Sequence, residues 1–354
     1  MKTLVTGSNG LIGSQCVKFF SEKGEVIGID NDMRSYFFGE ESSTKSIGED
    51  LTDKIQNFTQ YDIDIRDRDA INTLFQQHNF DLIIHTAAQP SHDWASKEPI
   101  TDFEVNALGT INLLESCRIY IPNAVFIFTS TNKVYGDNPN RLNLVELDTR
   151  LEYFNEHGDL DSVNENMPID NCLHSVFGAS KVAADIMVQE YGRYFGLKTI
   201  VFRGGCLTGP DHKGAELHGF LSYLIKCMVH NEHYTIYGNG KQVRDNIHSF
   251  DLVNLFSHVY ELPRTAAVYN IGGGRENSIS ILEAIDKINS VIQENGGKSW
   301  HNYTIEDTKW RIGDHKWYIS NLDKVMNDYP SWDIKYKLDD LLEEMVLMEM
   351  NNGY

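Results

Sequence analysis

The chain has 354 residues, 41% hydrophobic and 23% charged, which suits a soluble globular protein with room for two lobes. A formal net charge of −20 argues against nucleic acid or an anionic membrane as partner, though a small anionic ligand needs only a local pocket of amides or cations. No apolar run reaches the roughly 18 residues of a membrane helix, and no charged, then apolar, leader opens the chain.

Strand-like and helix-like segments alternate from the start. "KTLVTG" reads as a first strand, "LIGSQCVKFFSEKG" as a helix and "EVIGID" as a second strand. "FTQYDIDI" is a third strand, "RDAINTLFQQH" a helix and "DLIIHTAA" a fourth strand. "TDFEVNALGTINLLESCRIY" predicts a long helix and "NAVFIFTST" a fifth strand. Residues 138–172 lose this rhythm and read as a surface excursion over the open edge of a site. The helix "SKVAADIMVQEYGRYFG" and the sixth strand "KTIVFRGG" then restore it. Runs that are apolar on both faces predict an α/β fold, a Rossmann-type doubly wound parallel sheet covered by helices on each side.

Beyond residue 206 the pattern changes. "HGFLSYLIKCMVHN" and "DLVNLFSHVYEL" look helical, and "HYTIYGNGKQVRDNIH" looks like strand, turn and strand. "SISILEAIDKINSVIQE" and "LDDLLEEMVLMEM" are amphipathic helices. Residues 1–206 are therefore expected to form the dinucleotide domain, and 207–354 mostly a smaller mixed α/β lobe. A strand over 268–273 is expected to return to the main sheet.

"TGSNGLIG" places Gly7, Gly10 and Gly13 between the first strand and first helix. The first glycine permits a tight turn, the second close approach of a pyrophosphate, and the third helix–strand contact. The helix that follows offers its amides to phosphate, so Asn9, Leu11 and Ile12 belong to the same candidate site. Asp30 ends the second strand 17 positions after Gly13, and its carboxylate suits ribose hydroxyls and repels a 2′-phosphate. That favours NAD over NADP, with Asn31 beside it and Arg34 close enough to blur the preference. The five cysteines are scattered and odd in number, without a C-x-x-C pair, and read as thiols in a reducing, cytoplasmic compartment. The 13 histidines show no metal-ligand spacing.

With "TGSNGLIG", "HTAAQ", "STNKVYG", "FGASK", "GNGKQVRDNIH" and "RIGDHKWYISNLDK" in this order, the chain resembles the extended short-chain dehydrogenase/reductase superfamily. Within it, the chain is similar to NAD-dependent nucleotide-sugar epimerases, in particular the C2 epimerases of CDP-deoxyhexoses. The resemblance implies reversible oxidation at a sugar carbon through a transient keto sugar, with NAD recycled. It implies that Thr131 bonds the reacting oxygen and that Lys181 holds the nicotinamide ribose. Asp64 and Ile65 would flank the adenine, Ala87, Ala88 and Gln89 would line the cofactor, and Asn106 would be a polar contact on its side. Asn132 and Lys133, with Gln89, would face the sugar nucleotide. Arg244 and Arg311 are candidates for gripping its diphosphate, since a planar guanidinium can hold two phosphate oxygens. A homodimer through helices at about 100–119 and 176–195 is implied as well.

Two departures matter. Asn132 and Lys133 stand where 4,6-dehydratases carry an Asp-Glu pair. Phe177 stands where the family's acid/base tyrosine belongs, and loss of a positioned acid/base costs on the order of 10² to 10⁴ in rate. Three readings follow. Another group does the job (Lys181 through a water, His174 or Cys206); or Phe177 is an introduced replacement that traps substrate; or the protein binds NAD and a sugar nucleotide without turnover. Another oxidoreductase or a dehydratase on the same scaffold is the remaining alternative.

Overall fold

The structure is a computed structural model that describes residues 1–210, 219–310 and 313–352. Its centre is a seven-stranded sheet. In chain order the strands are Lys2–Thr6, Glu25–Ile29, Phe58–Tyr61, Leu82–His85, Val125–Thr131, Lys198–Gly204 and Ala267–Ile271. They lie side by side in the order seventh, sixth, fifth, fourth, first, second, third, and every pairing is parallel. The α/β reading of the alternation is thus the fold observed.

Both faces of the sheet are buried, which is why its strands read as continuous apolar runs. Val5, Leu82 and Ile84 point into one core with Val17 and Phe20 of the first helix, Leu11–Ser21. Leu4, Ile83 and Phe126 point into the other with Leu113, Val188 and Tyr191. Those last three residues belong to two packed helices, Gly109–Tyr120 and Ser175–Phe195. The helix from Pro99 to Tyr120 is interrupted by a π-helical stretch, Glu104–Leu108.

The sequence of the second lobe does not reveal how its strands pair. Tyr234–Tyr237 and Val243–His248 flank a turn but do not pair with each other. The former lies parallel to Tyr303–Glu306, and the latter joins Ser278–Ser280, Trp317–Tyr318 and Cys206–Thr208. Helices Phe220–Val229, Ile281–Glu294 and Leu338–Asn352 pack around a separate core. Within the 138–172 excursion, a small hairpin forms from Leu144–Glu146 and Leu151–Tyr153. Its Leu151, with Val163 further along, is buried against Trp317 and Ile319. The excursion is therefore part of the packing between the lobes. Helices Met33–Phe38 and Lys45–Lys54, which no apolar period announces, fill the segment between the second and third strands.

Strand order reverses between the first and fourth strands, so the loops leaving their carboxyl ends diverge and open a crevice. The second lobe closes the other side.

Candidate active site

A cleft of about 720 Å³ runs along this crevice. At one end the chain passes from the first strand into Gly7, which adopts φ +66°. A side chain there would meet the Ala87 backbone at 2.8 Å, and a Cβ on Gly13 would lie 1.9 Å from the Gly7 carbonyl. Glycine is thus a steric requirement at both places. Among the described residues no side chain caps helix Leu11–Ser21, so its first amides have the open arrangement that suits an anion. Gly7, Gly10, Leu11 and Ile12 line the cleft, whereas Gly13 is buried behind them.

Asp30 lines the same end, with Asn31. The Asn9 backbone N–H donates to its Oδ2 at 3.0 Å and that of Asp32 to its Oδ1 at 2.9 Å. Burial pushes its carboxyl up, and those two amides work the other way. Its oxygens are oriented before a ligand arrives. Asn9 contributes through its backbone, since its side chain is buried beside Gly48. Asp64 and Ile65 form the wall opposite, just past the end of the third strand. Arg66 grips the Asp64 carboxylate with Nε and Nη2. Burial would raise that carboxyl, but its bonds to Arg66 prevail and lower it. Glycines at the close approaches, open amides and a fixed carboxylate together fit the pyrophosphate and ribose of a dinucleotide.

At the far end, Ala87 and Ala88 line the cleft at the exit of the fourth strand, with Thr131 at the end of the fifth. Thr131 Oγ1 accepts the Lys133 N–H at 3.2 Å, which caps the tight turn Asn132–Tyr135. A buried network fixes this turn from behind. Ser130 Oγ donates to Asp185 at 2.6 Å, Asp185 is paired with Arg203 at 2.9 Å, and Arg203 Nη1 donates to the Tyr135 hydroxyl at 3.1 Å. Tyr135 in turn donates to Asn270 of the seventh strand at 2.7 Å.

Lys181 lies one helical turn beyond Phe177, on the same face of helix Ser175–Phe195. Its Nζ donates to the Thr129 carbonyl at 3.0 Å and sits 4.4 Å above the Phe128 ring. Burial lowers its ammonium to about 8, although Asp185 and Asp102 act in the other direction. Beneath it, burial holds His85 at about 3, so this imidazole is a neutral support bonded to Thr6 and Thr110. The Phe177 ring, 6% exposed, faces the cleft.

Three expected contacts do not reach the cleft. Gln89 is fully buried, donating to Asp102 and the Ser91 carbonyl and accepting from the Ser91 N–H. Asn106 is consumed by Gln89, Asp102 and Ser180, so this pair ties the loop after the fourth strand to the π-helical stretch. His174 turns back to the Val134 carbonyl, 2.9 Å from Nε2. The cause is local: Ser175 has φ +61° and swings the chain just before the helix. Cys206 does line the cleft, but burial pushes its thiol up to about 12.

The second lobe supplies Arg244. Its Nη2 lies 3.3 Å from Asp314, which Lys133 Nζ also contacts at 2.8 Å. Burial would raise the Asp314 carboxyl, but Lys133 and Arg244 outweigh it and hold it well below the usual range. Arg311 lies outside the described residues. His92, which no sequence motif singles out, also lines the cleft. Nothing in "PSHDW" marks it, and its partner Ser175 is 83 residues away.

Known proteins resemble this chain along most of its length. Residues 3–272 match the model of the NAD dependent epimerase/dehydratase family. The chain is 31% identical to a CDP-paratose 2-epimerase of Salmonella typhi, over 98% of each chain. It is 29% identical to a dTDP-glucose 4,6-dehydratase of Escherichia coli, over 96% of this chain and 86% of that one. In fold it is similar to UDP-glucuronic acid 4-epimerase from Bacillus cereus in complex with UDP-glucuronic acid and NAD, at TM-score 0.78 and 24% identity over the whole of both chains. With a dTDP-glucose 4,6-dehydratase from Bacillus anthracis in complex with NAD the TM-score is 0.75, at 23% identity over 99% of this chain and 97% of that one. A turn built on glycines at close approaches, a carboxylate held by two amides beside it and a family match across three quarters of the chain lead to one assignment: the protein belongs to the NAD dependent epimerase/dehydratase family, and NAD is its cofactor.

Proposed function

We propose that the protein is an epimerase of a nucleotide-activated sugar, acting at C2 of a CDP-deoxyhexose through a transient keto sugar. The observation that carries this reading is the turn after the fifth strand. It presents Thr131, Asn132 and Lys133 to the cleft, with no carboxylate in the turn itself. Dehydration needs an acid that protonates a leaving hydroxyl, and an amide and an ammonium at these places suit reversible oxidation without elimination. Similarity to the CDP-paratose 2-epimerase over 98% of each chain supports the same choice.

NAD supplies reversible hydride acceptance. Around it, Gly7, Gly10, Leu11 and Ile12 would hold the pyrophosphate, and Asp30 and Asn31 the adenosine ribose. Asp64 and Ile65 would flank the adenine, with Ala87 and Ala88 against the nicotinamide half. Lys181 would bind the nicotinamide ribose, and its charge favours oxygen anions nearby. Thr131 would bond the reacting oxygen. Lys133 and Arg244 converge on Asp314 and would exchange that carboxylate for the substrate's diphosphate.

The test is incubation with CDP-paratose while the sugar C2 proton is followed by NMR. The expected result is the second C2 epimer, without net accumulation of NADH and without loss of water. Unchanged stereochemistry with NAD bound overturns the reading, and release of water moves the protein to the dehydratases. A cytoplasmic homodimer belongs to the same proposal. The paired helices leave Ile100, Phe103, Val176 and Tyr194 in solvent, Tyr194 at 81% exposure, and a second copy would cover them. Light scattering on the purified protein measures its mass directly.

A further inference from the structure

We propose that Asp102 is a positioning residue for Lys181: its carboxylate ties down the helical turn that carries Phe177 and Lys181 and sets a negative charge behind the ammonium. The inference rests on the placement of Lys181 at the cofactor given above. Asp102 lies on helix Pro99–Phe103, is 0% exposed and does not line the cleft. It acts from behind the wall.

Three elements meet at this carboxylate. Its Oδ1 accepts from Gln89 Nε2 at 2.6 Å, which fixes the loop after the fourth strand, and from Asn106 Nδ2 at 3.0 Å. Asn106 belongs to the π-helical stretch Glu104–Leu108, a widened turn of the kind that recurs at functional sites. The same Nδ2 lies 3.1 Å from Ser180 Oγ, and Ser180 Oγ donates to the Phe177 carbonyl at 2.9 Å. The relay thus ends in the single turn between Phe177 and Lys181, both of which line the cleft. A second branch leaves the Asn106 carbonyl, which accepts from Thr110 Oγ1 at 2.7 Å, and Thr110 Oγ1 meets His85 Nε2 at 2.9 Å beneath Lys181. Every member of the relay is buried.

The charges around Lys181 leave this task to Asp102. Its own helix brings Asp185, and the sixth strand brings Arg203, which neutralises Asp185 at 2.9 Å. The fourth strand brings His85, which burial keeps neutral. Helix Pro99–Phe103 brings Asp102. The two donors to Asp102 are neutral amides, which orient its charge without cancelling it. Burial pushes this carboxyl up, while its hydrogen-bonded neighbours and Lys181 work in the other direction. An ammonium stripped of water keeps its proton where a nearby carboxylate offsets the lost hydration, and Asp102 supplies that offset.

The test reads Lys181 directly. Protein grown on lysine isotopically labelled at Cε gives an NMR signal for Lys181, assigned by its loss in Lys181→Met. In the parent this signal is expected to titrate at about 8 and to shift when NAD is added. Asp102→Asn keeps an oxygen for Gln89 and Asn106 but removes the charge, and the midpoint is expected to fall by roughly half to one unit. A merely structural residue would leave it in place. Ser180→Ala makes the complementary cut, keeping the charge and breaking the relay to the turn. Calorimetry is then expected to show NAD binding weakened by about two- to tenfold, with the Lys181 midpoint at the parent's value. An unmoved midpoint in folded Asp102→Asn overturns the proposal. So does unchanged NAD affinity in Ser180→Ala, the deciding result should Asp102→Asn not fold. A parent signal indifferent to NAD overturns it by another route, because Lys181 is then not at the cofactor.

Discussion

The two ends of the cleft are built by different means. At the phosphate end the surface is backbone, formed by glycines at close approaches, open helix amides and a carboxylate held by two amides. At the chemical end it is side chain, gathered from the fourth and fifth strands, helix Ser175–Phe195 and the second lobe. The first construction tolerates almost no change because sterics define it. The second depends on contacts between residues far apart in the chain, such as Lys181 Nζ on the Thr129 carbonyl. The two ends are therefore expected to respond differently to substitution.

That contrast can be broken most severely at Gly13. Gly13→Ala drives a Cβ into the Gly7 carbonyl and is expected to abolish NAD binding by calorimetry or to prevent folding. Retention of NAD affinity would show that the phosphate end is more adaptable than its geometry implies. Next is the network behind the chemical end. Arg203→Met strands the buried Asp185 carboxylate and is expected to cost about 3–5 kcal/mol in chemical denaturation. Adding Asp185→Leu recovers most of that loss, because the pair is needed for pairing more than for net stability.

Lys181→Met separates function from stability. Turnover is expected to fall by on the order of 10², while the protein gains on the order of 1–3 kcal/mol at neutral pH. The sign follows from the ammonium, lowered from 10.5 unfolded to about 8 folded. Below pH 8 the buried charge carries its full cost; between 8 and 10.5 the folded state sheds the proton and that cost fades. The advantage of the Met variant in thermal melts should therefore shrink across this window. The smallest expected effect is at Asp245, fully buried on strand Val243–His248 of the second lobe, whose Oδ2 accepts the Ser320 and Gly274 amides. Burial raises its carboxyl from 3.8 to about 6, so its ionisation costs stability fully above pH 6 and not at all below about 3.8. Asp245→Asn is expected to raise the melting temperature by a few degrees at pH 8 and to leave it unchanged near pH 3.5. An equal gain at both pH values would assign the effect to packing.

The phosphate end was legible in sequence because its rules are local. Gly7, Gly10, Gly13 and Asp30 lie within one strand–helix–strand unit, and spacing alone positions them. The doubly wound sheet was legible for the same reason, since each strand carries its own apolar run. The chemical end was less so. His174 is three residues from Phe177 in sequence, yet the left-handed turn at Ser175 directs it away, whereas distant His92 touches the ring. Gln89 and Asn106 sit in a motif that suggests ligand contact, and tertiary hydrogen bonds consume both side chains. The strand–turn–strand pattern over 233–248 gave no sign that its two strands enter different sheets, because their partners at 303–306 and 278–280 lie far along the chain.

The seventh strand, Ala267–Ile271, has a consequence for the life of the chain before it is finished. It covers the outer edge of Lys198–Gly204, yet it leaves the ribosome only after much of the second lobe has been made. Throughout that interval the growing sheet presents a bare row of amides and carbonyls to any passing polypeptide. Order of manufacture, more than final stability, fixes when this molecule most needs an escort.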